Sequence, residues 1–160
     1  MVDAAPSMHE LLSRTTKPGH VVWIGVRPDR RAPMKSLETE YISEMGLDRD
    51  RSKPGKRAVT LIQAEHLLAI GSFLGVASIE PKALRRNLVV EGINLLALRG
   101  REIRVGDATL LITGPCAPCS RIEEAFGRGG YSAVRGHGGV TAQVIKPGPL
   151  ELGSPVSPVD

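Results

Sequence analysis

Residues 102–126 read EIRVGDATLLITGPCAPCSRIEEAF, and this one segment combines two short apolar runs, a turn, both cysteines and a helix start. The runs at 102–105 and 108–112 have the length and the Val, Ile and Leu content of strands. Between them, Gly106-Asp107 is a two-residue hairpin signal, although in the less usual order. The segment therefore predicts an antiparallel hairpin that leads into a cysteine-containing loop.

The second cysteine directly precedes a helix predicted at 120–126. Ser120 and Glu123 have the spacing of a capping box, which is typical of a helix N-terminus. The sulfur of Cys119 is then expected to face unpaired backbone N–H groups and the positive end of the helix dipole, with Arg121 nearby. These groups favour the thiolate, so the sequence predicts a nucleophile or a soft metal ligand at this position.

The Cys-x-x-Cys spacing of Cys116 and Cys119 leaves other interpretations open. The order strand, loop, Cys-x-x-Cys and helix is also that of a thioredoxin-like dithiol, and either cysteine can be inert and structural. The four histidines are scattered through the sequence: His9, His20, His66 and His137. A tetrahedral zinc site needs two further ligands, and the chain has no second cysteine pair and no His-x3-5-His to supply them.

The distribution of glycine and proline indicates the fold class. Eighteen Gly and twelve Pro separate short apolar runs over 160 residues, a length that suits one domain. Predicted strands lie at 20–26, 37–42, 58–62, 87–91, 102–105, 108–112, 141–145 and 150–152. Predicted helices lie at 7–13, 63–73 and 120–126. The sequence therefore predicts a mainly β, α+β domain that is β-barrel-like and has two or three short helices.

The composition favours some function classes and excludes others. A formal net charge of +4 suits an anionic small-molecule ligand. Two Tyr, two Phe and one Trp offer little stacking surface, so no nucleic-acid partner is expected. The N-terminus has no apolar run of signal-peptide length, and no segment approaches a membrane span. We therefore expect a cytoplasmic protein with reduced thiols and no membrane partner.

A basic cluster precedes the strand predicted at 87–91. Arg85, Arg86 and Asn87 place two guanidinium groups and one amide where a loop becomes a rigid element. Arginine binds phosphate through two parallel hydrogen bonds, and the amide of Asn can bond a heterocycle or neighbouring backbone. The cluster predicts an anion site, with a solvated strand end as the alternative.

A glycine-dense segment, Arg135-Gly136-His137-Gly138-Gly139, precedes the strand predicted at 141–145. Glycine allows backbone N–H groups to converge on an anion, and His137 can donate to a phosphate or transfer a proton. Two tight turns are the alternative interpretation. The Gly-x4-Gly-Lys-Ser/Thr spacing is absent, so nucleotide hydrolysis is not expected.

Three further polar residues have structural interpretations when taken alone. Asp50 lies in a turn of alternating acids and bases that can pair with one another. Lys35 is expected in an exposed loop, and His66 is expected to pack on its helix.

Taken together, these segments resemble the MOSC domain, the C-terminal domain family of molybdenum cofactor sulfurases. The landmarks are Gly46-Leu47 with Asp50, the run VTLIQAE at 59–65, RRNLVV at 85–90, GDA at 106–108, Pro118-Cys119, and RGHGG at 135–139. Each is weak alone, and six in one order are specific. The resemblance implies a mostly β-barrel fold with an N-terminal extension at 1–18, a single domain at 19–156 and a tail at 157–160.

The resemblance also implies roles for individual residues. Cys119 corresponds to the family's key cysteine, which either ligates molybdenum in a bound molybdopterin cofactor or carries sulfur as a persulfide, and His137 joins it as a candidate catalytic residue. The implied cofactor-binding residues are Arg85, Arg86, Asn87, Arg121, Arg135, Gly136, Gly138, Lys35 and Asp50. Cys116 departs from the family pattern and is expected to resolve a Cys119 persulfide by forming a disulfide.

The implied function is molybdenum-dependent reduction of N-hydroxylated bases or related small molecules, with electrons from a separate reductase. A sulfur carrier loaded by a cysteine desulfurase is the alternative, followed by a dithiol oxidoreductase and a cofactor-binding module without catalysis. Larger relatives carry a sulfurase domain that binds pyridoxal phosphate. The chain has no room for that domain, so this cofactor is not expected. Substrate, donor and oligomeric state do not follow from the sequence.

Overall fold

The computed structural model describes residues 4–160, and within them eleven strands form two sheets. The strands are β1 (Gly19–Val26), β2 (Lys35–Leu37), β3 (Thr39–Ser43), β4 (Gly46–Leu47), β5 (Val59–Gln63), β6 (Leu88–Glu91), β7 (Glu102–Val105), β8 (Ala108–Pro115), β9 (Val140–Lys146), β10 (Gly148–Glu151) and β11 (Pro155–Pro158). The helices are α1 (Met8–Ser13), α2 (Ala64–Leu74), α3 (Pro81–Leu84), α4 (Ser120–Phe126) and α5 (Gly130–Val134), with a 3-10 helix at Leu95–Leu98.

Seven strands close into a barrel. Their order is β11-β7-β8-β9-β5-β6-β1, and β11 pairs again with β1, where Gly19 lies opposite Val156. Only the β5–β6 pair is parallel among these described pairings. β2 extends the sheet beyond β1, and a small sheet of order β10-β3-β4 stands beside it. Closure removes the free sheet edges that β1 and β11 would otherwise expose.

The barrel interior is the main hydrophobic core. Along β8 the buried positions alternate, so that Ala108, Leu110 and Ile112 point into the barrel while the intervening residues are partly exposed. A second apolar cluster lies outside the barrel wall, where Ile62 and Val89 pack against residues of α2, α4 and α5. The helices therefore cover one side of the barrel and place the loop before α4 and the loop before β9 on that side.

The fold class predicted from the sequence is confirmed, and so are the eight predicted strand regions and three predicted helices. The run predicted at 37–42 is divided between β2 and β3. The sequence pattern missed β4 and β11 because one has two residues and the other begins and ends with proline, which disfavours strands. β11 itself ends at Pro158, and the domain bounds of 19–156 stay a prediction.

None of the helices within residues 4–160 has both the length and the apolarity that crossing a membrane requires.

Candidate functional site

Both cysteines follow β8, but their environments differ. The backbone N–H of Cys116 donates to the Gly139 carbonyl at 2.8 Å, and the residue is only 6% exposed. Cys119 is exposed and is the N-cap residue of α4. One thiol is therefore held against the glycine segment, while the other faces solvent.

The capping box predicted at Ser120 and Glu123 is wrong. The helix begins one residue earlier than that box requires, so Ser120 is already its first residue and Cys119 takes the N-cap position. The Cys119 side chain makes no cap hydrogen bond, and the Glu123 carboxylate instead accepts from the Tyr131 backbone N–H at 3.3 Å. The contact expected between the sulfur and the helix N–H groups is thus not formed, and the thiol is free to meet a ligand.

Arg86 is buried and holds the glycine segment in place. Its Nε donates to the Gly138 carbonyl at 2.7 Å, and its Nη1 donates to the Leu84 carbonyl at 2.8 Å. Burial lowers the pKa of Arg86, and the neighbouring Cys116 opposes that shift. Gly138 is needed beside it, because a Cβ there would come within 2.8 Å of the Cys116 carbonyl oxygen. Arg86, which was predicted to hold the cofactor, therefore uses two of its hydrogen-bond donors within the protein.

Asn87 is fully buried and connects three barrel strands. Its Oδ1 accepts from the Thr60 N–H at 3.0 Å, and its Nδ2 donates to the Gly25 carbonyl at 3.2 Å. These bonds link β6 to β5 and to β1. The Asn87 side chain is thus committed to the barrel wall.

His137 turns toward α2. Its ring lies edge-on to His66 with centroids 5.2 Å apart, and 5.5 Å from the ring of Phe73. Its Nδ1 is buried without a hydrogen-bond partner among the described residues. Its neighbours in the chain, Arg135 and Gly136, instead line a cleft of about 250 Å³. We call this the cysteine cleft. Its lining is Pro115, Cys116, Ala117, Pro118, Arg135, Gly136, Gly138 and Gly139.

A larger depression of about 830 Å³ gathers the basic residues. We call it the arginine cleft. Its lining is Arg27, Asp29, Arg30, Arg31, Arg51, Ser52, Lys53, Arg85 and Arg121. Four separate parts of the chain meet here: the β1–β2 connection, the loop after β4, the end of α3 and the first turn of α4. Seven cationic side chains thus surround one cavity, which attracts anions strongly.

Ion pairing balances little of this charge. The Arg27 guanidinium pairs with the fully buried Asp50 carboxylate, whose Oδ1 also accepts from the Arg27 backbone N–H at 2.6 Å. Burial lowers the pKa of Arg85, and repulsion from Arg27 adds to the effect. Arg85 also has a left-handed backbone, with φ 57°. Such a conformation is costly for a residue with a Cβ, but it is common at the residue that ends a helix, and Arg85 ends α3.

The structure distributes the predicted binding residues over three places. Arg85 and Arg121 line the arginine cleft, while Arg135, Gly136 and Gly138 line the cysteine cleft. Cys119 lies in the chain between them, because Pro118 lines one cleft and Arg121 the other. The side chains of Arg86, Asn87 and Asp50 bond to other groups of the protein and line neither cleft. Lys35 is an exposed residue of β2 that also lines neither cleft. Five further residues of the arginine cleft were not predicted, although they lie in basic runs at 27–31 and 49–53: Arg27, Arg30, Arg31, Arg51 and Lys53.

The closed seven-stranded barrel, with an exposed thiol two residues before the start of a basic cleft at Arg121, defines the class of this protein as a small β-barrel domain. The chain belongs to the MOSC domain family, whose family model matches residues 46–157. No curated protein matches the chain.

Solved structures share this fold. The YuaD protein of Bacillus subtilis superposes with a TM-score of 0.76 at 19% identity, covering 87% of this chain and 94% of that one. YiiM of Geobacillus stearothermophilus gives 0.73 at 18% identity, covering 89% and 76%. YiiM of Escherichia coli gives 0.67 at 20% identity, covering 88% and 70%. At these identities the likeness shows the fold alone.

The family is associated with the molybdenum cofactor, and the residues present fit that group. Within residues 4–160 no cluster of three or more His, Cys, Asp or Glu side chains is placed to hold a metal ion by itself. A cofactor that brings its own sulfur ligands needs only one more from the protein, and the exposed Cys119 thiol offers it. The unbalanced charge beside Arg121 suits the cofactor's phosphate.

Proposed function

We propose that this chain binds the molybdenum cofactor, with the Cys119 thiolate as its protein ligand and the arginine cleft as its phosphate site. The observation that carries the proposal is the exposed, unbonded side chain of Cys119 two residues before Arg121, which lines the cleft. A thiolate is a soft ligand suited to molybdenum, and guanidinium groups are suited to phosphate.

Different residues would perform different parts of the binding. Arg85 and Arg121 would pair with the phosphate, and the ion pair of Arg27 with the buried Asp50 carboxylate would hold the cleft wall in place. Arg86 would act indirectly by fixing the glycine segment beside Cys116. When bound, the cofactor supplies a redox-active metal.

The proposed reaction is reduction of N-hydroxylated bases or related small molecules, with electrons from a separate reductase. What supports it is access: the Cys119 thiol faces solvent, so a substrate and a donor protein can both approach it. The residues of the chain position the ligand and the substrate, while the electrons come from the partner.

Metal analysis tests the proposal. The chain is purified from a molybdenum-replete host, and molybdenum and pterin are measured for wild type, Cys119→Ser and the matched control Cys116→Ser. We expect one molybdenum per chain in wild type and in Cys116→Ser, and at least a tenfold loss in Cys119→Ser. A wild-type chain that acquires neither molybdenum nor pterin, even on reconstitution, contradicts the proposal.

The same exposure of Cys119 supports a second candidate, a sulfur carrier that receives a persulfide from a cysteine desulfurase. Incubation with a desulfurase and cysteine is then expected to raise the mass of the chain by about 32 Da, the mass of one sulfur. Cys119→Ser should abolish the increase, and Cys116→Ser should retain it. An unchanged wild-type mass rules out the carrier.

A further inference from the structure

The arginine cleft holds more positive charge than one phosphate monoester can balance. Its seven cationic side chains face Asp29 on the lining, and Asp50 neutralises Arg27 from behind. Five positive charges remain, which exceeds the formal net charge of +4 of the whole chain. A phosphate monoester carries about two negative charges at neutral pH. About three positive charges are therefore left for a second anion.

The excess charge lies on four residues, Arg30, Arg31, Arg51 and Lys53, which we call the distal group. Within residues 4–160 their side chains make no hydrogen bond and no ion pair. The distal group lies on the β1–β2 connection and on the loop after β4, whereas Arg85 ends α3 and Arg121 lies in the first turn of α4. The cleft thus has two parts, one around Arg85 and one around the distal group.

Arg31, a member of the distal group, has an energetically costly backbone conformation. Its backbone is left-handed, with φ 62°, and Arg85 is the other non-glycine residue with positive φ in the described chain. Both are arginines of this cleft. Arg85 takes this conformation where α3 ends, a position at which it is common, whereas Arg31 takes it in the connection after β1, where no helix ends. One strained arginine therefore stands in each part of the cleft.

We propose that the distal group binds phosphate carried by the substrate, so that the substrate is a phosphorylated small molecule. This inference rests on the proposed function, because it assigns the part around Arg85 to the cofactor's phosphate. The cavity of about 830 Å³ is at the upper end of the range for small-molecule sites, which leaves room for both ligands.

Titration calorimetry with inorganic pyrophosphate tests the proposal on the cofactor-loaded chain. We expect one pyrophosphate to bind, and Arg31→Ala and Lys53→Ala each to weaken it at least tenfold. Arg104→Ala is the matched control, since it removes the same charge from an exposed strand residue outside the cleft, and it should stay within twofold of wild type. A loaded chain that binds no pyrophosphate, or equal losses in control and cleft variants, overturns the proposal.

Two further measurements separate this inference from the proposed function. Adenosine 5′-diphosphate should bind at least tenfold tighter than adenosine, and Arg31→Ala should remove most of that difference. Equal affinities for the two ligands overturn the proposal.

The molybdenum content of Arg31→Ala should equal that of wild type. A parallel loss of molybdenum means that the cofactor itself occupies the distal group, and it also overturns the proposal. If the chain acquires no molybdenum but still binds pyrophosphate through Arg31, the proposed cofactor binding is wrong, while the proposal of a phosphorylated ligand at the distal group stands.

Discussion

At the scale of single residues, His66 and His137 show how packing changes the chemistry of a side chain. The two rings meet edge to face, and His137 leaves its Nδ1 buried without a partner in the described chain. Burial lowers the pKa of His66, repulsion from His137 lowers it further, and Glu65 opposes the shift. The folded state therefore favours the neutral imidazole at His66.

This shift predicts a dependence of stability on pH. Because the folded-state pKa of His66 lies below its unfolded value of 6.5, its contribution is complete above that pH and is lost as the pH falls. We expect the free energy of unfolding to fall less between pH 7 and pH 5 in His66→Gln than in wild type, as measured by urea denaturation. His20→Gln, at an exposed histidine, should behave as wild type. Equal pH dependence in both variants would show that His66 does not contribute.

At the scale of elements, the loop before β9 determines the geometry of the cysteine cleft. Its carbonyl groups bind two partners: Gly139 accepts from the Cys116 N–H, and Gly138 accepts from Arg86. Gly139 has φ 93°, and a Cβ there would lie 2.1 Å from the Leu61 carbonyl oxygen of β5. The loop can contact the barrel this closely only because the side chain is absent.

A matched pair of glycines tests this close approach. Gly129 has the same φ of 93° but nothing within 4 Å of a Cβ, so Gly129→Ala reports backbone strain alone. We expect Gly129→Ala to lower the free energy of unfolding by about 1–2 kcal/mol. Gly139→Ala adds a clash with backbone and should cost roughly 2 kcal/mol more. Urea denaturation measures both, and equal losses would mean that the loop moves away without cost.

At the scale of the whole molecule, the last strand closes the barrel. β11 pairs with β1 on one side and with β7 on the other, and Val156 is fully buried between them. Without β11 both neighbours become free edges and the core opens to water. Closure also holds β1 in register, and the connection after β1 carries three arginines of the arginine cleft.

Truncation tests the role of closure. A chain that ends at Ser154 lacks β11, and we expect it to aggregate or to unfold without a cooperative transition in a circular dichroism melt. A chain that ends at Pro158 loses only the bond from the Val159 N–H to the Glu102 carbonyl, which contributes about 1 kcal/mol. It should unfold cooperatively near the wild-type midpoint. Cooperative unfolding of the shorter chain at the wild-type midpoint would contradict the role assigned to β11.

Local patterns in the sequence determined most elements of this protein and the position of its exposed thiol. Apolar runs and glycine or proline turns specify most strands, since strand periodicity and turn chemistry act over a few neighbouring residues. The order of six short segments indicates the family, and the Pro118-Cys119 pair marks the exposed thiol. The helix at 120–126 was predicted with the correct bounds, but its N-cap is Cys119 and not Ser120, because the choice of N-cap depends on how the preceding loop packs.

Only the tertiary structure decided which side chains share a cavity. The arginine cleft joins residues at 27–31, 51–53, 85 and 121, which barrel closure brings together although no local pattern relates them. The same packing turned His137 toward α2, committed Arg86 and Asn87 to the barrel wall, and left Lys35 outside both clefts. Charge and burial depend on neighbours that are distant in the chain, so they are properties of the closed barrel and not of any one segment.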